Sequence, residues 1–388
     1  MSVNDDLPYI PVVYYHSIGP VNKNWNRNFL TLDLPFFEDQ LRYFKENFQP
    51  VFLKEYWNMR CQRQPLIKKP IVITFDDGFL DNWIWAYPLL KKYNIKATIF
   101  VCPEFVDLRE VQRPSLEDYW KKTVSFDEIT QSGYLSWPEM KTMIESGLID
   151  IQSHTMSHTK YFVSDKLTGF HHPGNDCLYP VGNLFPRLKP YHISDKTFEL
   201  QIPYGYPLFE EASAVSAKRI KINKFFIEEC LYALKHYDFG KYSFNTAFNE
   251  VWDLYEKYKL EGELITEVET EDEIRARLNY EILESKRILE EKLEIPIEFL
   301  CWPHGDNTDQ AHQLAIKAGY LATTKGSRTK APDTIDRIPE RIGLWHVSNN
   351  RFLSLLKTRY KIEGSRGQFP YKQLKLAYSL VRHGKIDV

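Results

Sequence analysis

A chain of 388 residues, 43% hydrophobic and 26% charged, can bury a sizeable core, so disorder is excluded as its main state. Its 50 basic and 52 acidic side chains leave a formal net charge of -2, which argues against bulk electrostatic binding of nucleic acid. The five cysteines are odd in number and none forms Cys-x-x-Cys, which excludes a disulfide scaffold or zinc ribbon and fits a reducing compartment. The opening residues lack a basic region followed by an apolar core, and no apolar run is long enough to span a membrane. The expectation is a cytoplasmic protein.

Residues 10–15 read as a first strand that delivers His16 into the turn Ser17-Ile18-Gly19-Pro20. Taken alone, His16 reads as a hydrogen-bonded core residue. Phe37, Leu41, Phe44 and Phe48 share a helical stripe over residues 36–48. The apolar run Ile71-Val72-Ile73 reads as a buried strand, ended by Asp76-Asp77-Gly78, where glycine permits a sharp turn. A helix is expected over about 80–93 and a strand over 96–101, followed by a long irregular connection over 103–134. Trp137-Pro138 opens another helix, which Gly147 ends. Ile149-Asp150-Ile151 then leads into His154 and His158, four residues apart. The alternation resumes at Thr270, whose capping box with Glu273 starts a helix with the stripe Ile274, Leu278, Ile282, Leu289, Leu293. Strands are expected over 297–302, 319–324 and 337–342, with a helix over 309–318. Alternating strands and helices imply a parallel sheet.

Two stretches carry a family resemblance. Thr74-Phe75-Asp76-Asp77-Gly78 and, later, His154-Thr155-Met156-Ser157-His158 resemble the first two motifs of the metal-dependent polysaccharide deacetylases, the carbohydrate esterase 4 or NodB-homology family. The early Tyr15-His16 element is similar to that of the poly-N-acetylglucosamine deacetylase subset. The resemblance covers residues 8–165 and 265–345 and implies an α/β fold, a distorted (β/α) barrel with fewer strands than the standard eight. By the same resemblance, Asp76 is the general base and Asp77, His154 and His158 are metal ligands. One carboxylate and two imidazoles suit a divalent ion, with zinc expected. His16 is the expected general acid, with His346 in Leu344-Trp345-His346 as its rival.

The third family motif is altered. Cys301-Trp302-Pro303-His304-Gly305 keeps the proline, replaces the usual tyrosine by His304 and lacks the arginine that orients the base. Arg341 is a candidate substitute for that arginine, with a structural salt bridge as the competing reading. Trp302, Pro303, His304 and Arg341 are the expected substrate-binding residues.

Residues 8–350 are expected to form the barrel domain, interrupted at 166–264 by a partly helical insertion that is either a lid or a peripheral cap. Residues 351–388 form a basic helical extension, read as a solvated face or as a contact with anionic lipid or a phosphate-bearing substrate. The function implied is metal-dependent removal of an N-acetyl group from an amino sugar. Removal of another acyl group from a lipid-linked amino sugar and a catalytically inactive carbohydrate-binding relative are the alternatives. The expected partner is an N-acetylated carbohydrate, with no nucleic acid.

Overall fold

Nine parallel strands form the central sheet of this computed structural model, which describes residues 9–22, 25–62, 69–326, 334–345 and 350–374. In chain order they are β1 (Val12–Tyr15), β2 (Gln49–Val51), β3 (Pro70–Phe75), β4 (Ala97–Val101), β5 (Ile149–Ser153), β6 (Phe299–Leu300), β7 (Ala322–Thr324), β8 (Arg337–Ile338) and β9 (Ile342–Gly343). The order across the sheet is β8-β7-β6-β5-β4-β3-β1-β9, with β2 also paired to β3. Because every pairing is parallel, the carboxyl ends of all these strands open on one face.

The edge strands β8 and β9 are consecutive in the chain, separated only by Pro339, Glu340 and Arg341. Such a link reaches about 14 Å at ~3.5 Å per residue. Laid flat at ~4.8 Å per strand, the same edges would lie roughly 34 Å apart. The sheet therefore curls into a half-barrel. The strand expected over 337–342 is thus two strands, one on each edge. Pro339 has no N–H to donate to a ladder, so pairing breaks there. The strands expected over 297–302 and 319–324 are also shorter, reduced to their last or central residues.

Alternation sorts the strand residues between two cores. Val12, Val72, Phe100, Phe299, Ala322 and Ile338 pack together as the inner layer. Val13, Ile71, Ile73, Phe75, Ile99 and Ile151 pack outward against the helices. Both faces are buried, which is why these strands read as continuous apolar runs. The outer layer includes the stripe Phe37, Leu41 and Phe44 of helix Leu34–Asn47.

Two helices carry a π turn. The helix expected over 80–93 starts as a π segment, Asn82–Ala86, and continues as Tyr87–Tyr93. The helix capped by Thr270 contains the π segment Tyr280–Glu284 between Glu271–Asn279 and Ser285–Leu293. Such turns recur at functional sites, and both lie near the site described below.

Between β5 and β6 the chain leaves the barrel pattern. Lys160–Phe170 pairs antiparallel with Pro207–Ser213, and Ile220–Ile222 with Ile265–Val268. Residues 177–202 add Leu178, Val181 and Phe198 to a core shared with Trp25, Phe79 and Phe105 at the barrel mouth. Helices Lys224–Ala233 and Phe244–Leu260 instead close a separate core of Phe170, Phe209, Phe226, Val251 and Tyr255. Phe226 is buried whereas its neighbour Phe225 is 57% exposed, because successive helical residues point about 100° apart.

Helix Arg351–Ser365 packs on helix Leu34–Asn47. Arg351 pairs with Asp39 at 2.6 Å, and the Tyr43 hydroxyl donates to Glu363 at 3.2 Å. Part of its basic surface is therefore engaged by the barrel, while Phe352 and Leu353 face outward. Lys375, Arg382 and Lys385 of the expected basic extension lie outside the described residues. No helix among the described residues is long and apolar enough to cross a membrane.

Candidate active site

The carboxyl ends of the strands bring together residues that are far apart in sequence. β1 runs into His16, β3 into Asp76 and Asp77, β5 into His154, and β6 into Cys301 and Trp302. All of these but Cys301, together with His158, Arg27, Tyr179, His304 and Arg341, line a cavity of about 400 Å³. Pro303 is buried and does not line it. His346, the rival acid, lies outside the described residues.

Asp76 and Asp77 are neighbours with different surroundings. Asp76 continues the alternation of Val72 and Thr74, and so points into the barrel. Arg341 grips it with two parallel bonds, Nη1 to Oδ1 and Nη2 to Oδ2, both 2.7 Å. A second donation from Nη1 reaches Thr74 Oγ1 at 3.1 Å. Burial alone would raise the Asp76 pKa, but the Arg341 charge and its hydrogen bonds outweigh that and hold it below the usual value. The carboxylate is ionised and fixed. Arg341 thus stands where it can replace the missing motif arginine, while Cys301 Sγ lies 2.9 Å from its Nη2.

Asp77 breaks the alternation with φ 71°, in the left-handed region. That turn aims its carboxylate at His154 and His158. Oδ1 lies 3.2 Å from His154 Nε2 and 3.1 Å from His158 Nε2. The second ring nitrogen of His154, Nδ1, is 2.8 Å from the carbonyl oxygen of Cys301, which requires a proton on Nδ1. In the neutral ring, Nε2 then presents a lone pair toward a carboxylate oxygen. Asp77 Oδ1 is buried and has no well-formed hydrogen bond among the described residues. Acceptors converging on one another need a cation between them. Burial also lowers the His158 pKa, which favours its neutral, ligating form. The three groups therefore fit a divalent metal ion. Asp76, His154 and Cys301 also converge, but Arg341 already occupies both oxygens of that carboxylate.

The turn carrying the histidines is strained, with φ 64° at Thr155 and 44° at His158. It is held from below by Glu281, in the π segment Tyr280–Glu284. Glu281 accepts the backbone N–H groups of Met156 (3.2 Å) and Ser157 (3.1 Å) and also the Ser157 hydroxyl. From the other side, buried Lys189 donates to the Ser157 carbonyl at 3.0 Å and pairs with Glu104. Sequence reading missed Glu281 and Lys189. A signal existed for Glu281, an acid beside the apolar stripe positions Leu278 and Ile282 and so on a face that must be buried. Nothing local marked Lys189.

His16 lines the same cavity from the end of β1, the direct neighbour of β3. Its Nδ1 is buried without a hydrogen-bond partner among the described residues. Its ring stands edge-on to Trp345 (5.1 Å) and Tyr14 (5.7 Å), and Asn82 Nδ2 donates to its carbonyl at 2.9 Å. His304 has φ 60° and packs edge-on against His158 at 4.5 Å and Tyr179 at 5.6 Å. Burial, followed by the neighbouring His158, pushes its pKa well below the usual value, so the ring is neutral. Tyr179 and Arg27 complete the wall, the guanidinium 5.2 Å over the phenol ring. Neither carried a motif.

Sequence and structure comparisons find relatives of this chain. A family profile described as polysaccharide deacetylase matches residues 63–172, a stretch that includes Asp76, Asp77, His154 and His158. The protein YxkH of Bacillus subtilis (strain 168), which carries the name of a polysaccharide deacetylase, is 32% identical over 150 residues, covering 38% of this chain and 43% of that protein. The poly-beta-1,6-N-acetyl-D-glucosamine N-deacetylase of Escherichia coli (strain K12) is 25% identical over 147 residues, covering 37% of this chain and 20% of that one. The match therefore spans less than half the length of either curated relative. Among solved structures, a de-N-acetylase from Aggregatibacter actinomycetemcomitans aligns over 88% of this chain and 98% of its own, with TM-score 0.51 and 14% identity. The BpsB deacetylase domain from Bordetella bronchiseptica aligns over 87% and 97%, with TM-score 0.50 and 17% identity. At these identities the likeness establishes the fold alone.

Proposed function

Because residues 63–172 match the polysaccharide deacetylase profile, we propose that this chain is a metal-dependent hydrolase that removes N-acetyl groups from amino sugars of a glycan. The observation that carries this reading is the pairing of two unlike carboxylates on one cavity floor. Asp76 is ionised and clamped by Arg341, whereas Asp77 faces two imidazole nitrogens.

Asp77, His154 and His158 would hold the ion, and two nitrogens with one oxygen suit zinc. When bound, such an ion supplies Lewis acidity to water and to the acyl oxygen. Asp76 takes the proton of the attacking water. Its fixed, low-pKa carboxylate is present as the base throughout the neutral range. His16, which lines the cavity, gives a proton to the leaving amine. The backbone N–H of His304 is assigned to the developing oxyanion. Trp302 and Tyr179 form walls for the sugar.

Acetate release from N-acetylated oligosaccharides tests the proposal directly. Chelated protein should be inactive and should recover with stoichiometric zinc, and Asp77→Ala should bind no stoichiometric ion. Full activity in protein shown by elemental analysis to be metal-free would refute the metal-dependent reading.

A further inference from the structure

The His16 ring is held by aromatic packing. Trp345 and Tyr14 stand edge-on to it, and its buried Nδ1 meets no hydrogen-bond partner among the described residues. The direction of the ring is therefore set by the backbone that carries it. That backbone is held at Tyr15, His16 and Ser17 in turn. The Asp76 N–H donates to the Tyr15 carbonyl at 2.9 Å. Asn82 Nδ2 donates to the His16 carbonyl at 2.9 Å. The Ser17 hydroxyl donates to Asp81 Oδ2.

Asp81 joins the last two of these bonds. Its Oδ1 accepts the other amide proton of Asn82 at 2.8 Å, while its Oδ2 accepts from Ser17. The single Ser17 proton goes to the carboxylate, so Thr31 Oγ1 must donate to Ser17 Oγ, 2.8 Å away. The orientation of the Asn82 amide follows in the same way, because turning it over would set its oxygen against two acceptors. The result is a continuous run from Thr31 through Ser17, Asp81 and Asn82 to the His16 carbonyl, and such runs reinforce their members.

A second observation is where the two anchors lie. Asp81 immediately precedes the π segment Asn82–Ala86, and Asn82 opens it. Glu281, in the other π segment, holds the turn of His154 and His158 through the N–H groups of Met156 and Ser157. Each π segment thus brings a carboxylate to a turn that carries a histidine of the cavity.

We propose that Asp81 is the positioning residue of His16: acting through Asn82 and Ser17, it fixes the turn after β1 and with it the angle at which the imidazole meets the leaving amine. The proposal rests on the reading of His16 as the acid. It makes one short stretch, residues 76–82, supply the base, a metal ligand and the anchor of the acid.

The test compares Asp81→Asn with the parent on an N-acetylglucosamine oligomer and on 4-nitrophenyl acetate, whose leaving group needs little protonation. The substituted amide keeps the shape but turns an NH₂ toward Ser17 or Asn82, both of which already donate. Assays at pH 8 keep the parent carboxylate charged, since burial pushes the Asp81 pKa up to about 7. Turnover of the oligomer should fall about tenfold and that of the ester less than about twofold, with zinc content unchanged. In protein carrying isotope-labelled histidine, the magnetic resonance signal of His16, identified by its loss in His16→Ala, should shift. The signal of His236, exposed on the excursion, should stay in place. Ser17→Ala removes one donor and adds no bulk; it should move both readouts the same way by a smaller amount, and it decides the matter if the first variant does not fold. An unmoved His16 signal would overturn the proposal. So would oligomer and ester losses of equal size where His16→Ala is itself selective for the oligomer. A shifted His16 signal in a protein that releases no acetate would uphold the positioning and sink the hydrolase reading instead.

Discussion

The barrel and the excursion between β5 and β6 meet at the same cavity but are built differently. In the barrel, the candidate base and the histidines of the Asp77 cluster are held by further polar groups. Asp76 is gripped by Arg341, His154 by the Cys301 carbonyl, and the Thr155–His158 turn by Glu281. In the excursion, Tyr179 and its neighbours are placed by aromatic packing and by one ion pair, Arg27–Asp176. Hydrogen-bonded anchors fix angle and distance, which bond-making chemistry demands. Packed aromatic walls fix shape, which binding demands. The difference implies that damage to the barrel should change rate, whereas damage to the excursion should change substrate affinity.

The sharpest way to break that division is Asp76→Asn. The amide keeps the shape but cannot accept the proton, so kcat should fall by about 10²–10⁴-fold with metal content unchanged. Elemental analysis alongside acetate release would check it, and normal turnover would remove Asp76 from the base role. Arg341→Ala comes next. It leaves Asp76 buried and free to turn, and a loss of about 10²-fold is expected, mainly in kcat. Arg341→Lys should recover little, since a single ammonium cannot make two parallel bonds. A full rescue by lysine would show that charge alone matters.

Glu281→Ala tests the anchor beneath the histidines. Two backbone N–H groups lose their acceptor, and the strained turn can relax. Metal affinity should drop by about 10–100-fold, as for other outer-shell partners of metal ligands, and competition against a chromogenic chelator would read it. Tyr179→Ala should act on the other side of the division. It should raise KM for an oligosaccharide about fivefold, with kcat nearly unchanged, corresponding to about 1 kcal/mol of lost contact. An equal loss in kcat would place Tyr179 among the reacting groups.

The smallest effect on activity is expected at Asp150, early in β5. Burial pushes its pKa up to about 7 despite a hydrogen bond from Gln152. The native state thus keeps a proton that the unfolded chain releases near pH 4. Its contribution to stability is full below that pH and is lost as pH rises through 7. Asp150→Asn should flatten this decline, so the variant gains on the parent at pH 8 and not at pH 4. Urea midpoints at the two pH values would show it. Parallel midpoints would mean that Asp150 is ionised in the native state.

Much of the barrel was legible because its strands are buried on both faces and its helices carry regular stripes and capping boxes. The alternation also explains why Asp76 and Asp77, though adjacent, part company. The rest depended on contacts between distant segments. The split of residues 337–342 follows from which edge each half joins, and Arg341's position over Asp76 follows from that split. Tyr179, Arg27 and Lys189 have no periodic or motif context, so only the packed structure brings them to the site.

The short link Pro339-Glu340-Arg341 has a consequence for how the protein is made. The same residues that join the two sheet edges deliver the guanidinium that holds Asp76. A chain synthesised from its N-terminus has Asp76, Asp77, His154 and His158 long before it has Arg341. Throughout that interval Asp76 lacks its clamp, whatever else has folded. The clamp on Asp76 then arrives with the last pairing, and a nascent or prematurely ended chain that already carries the four motif residues would still be without it.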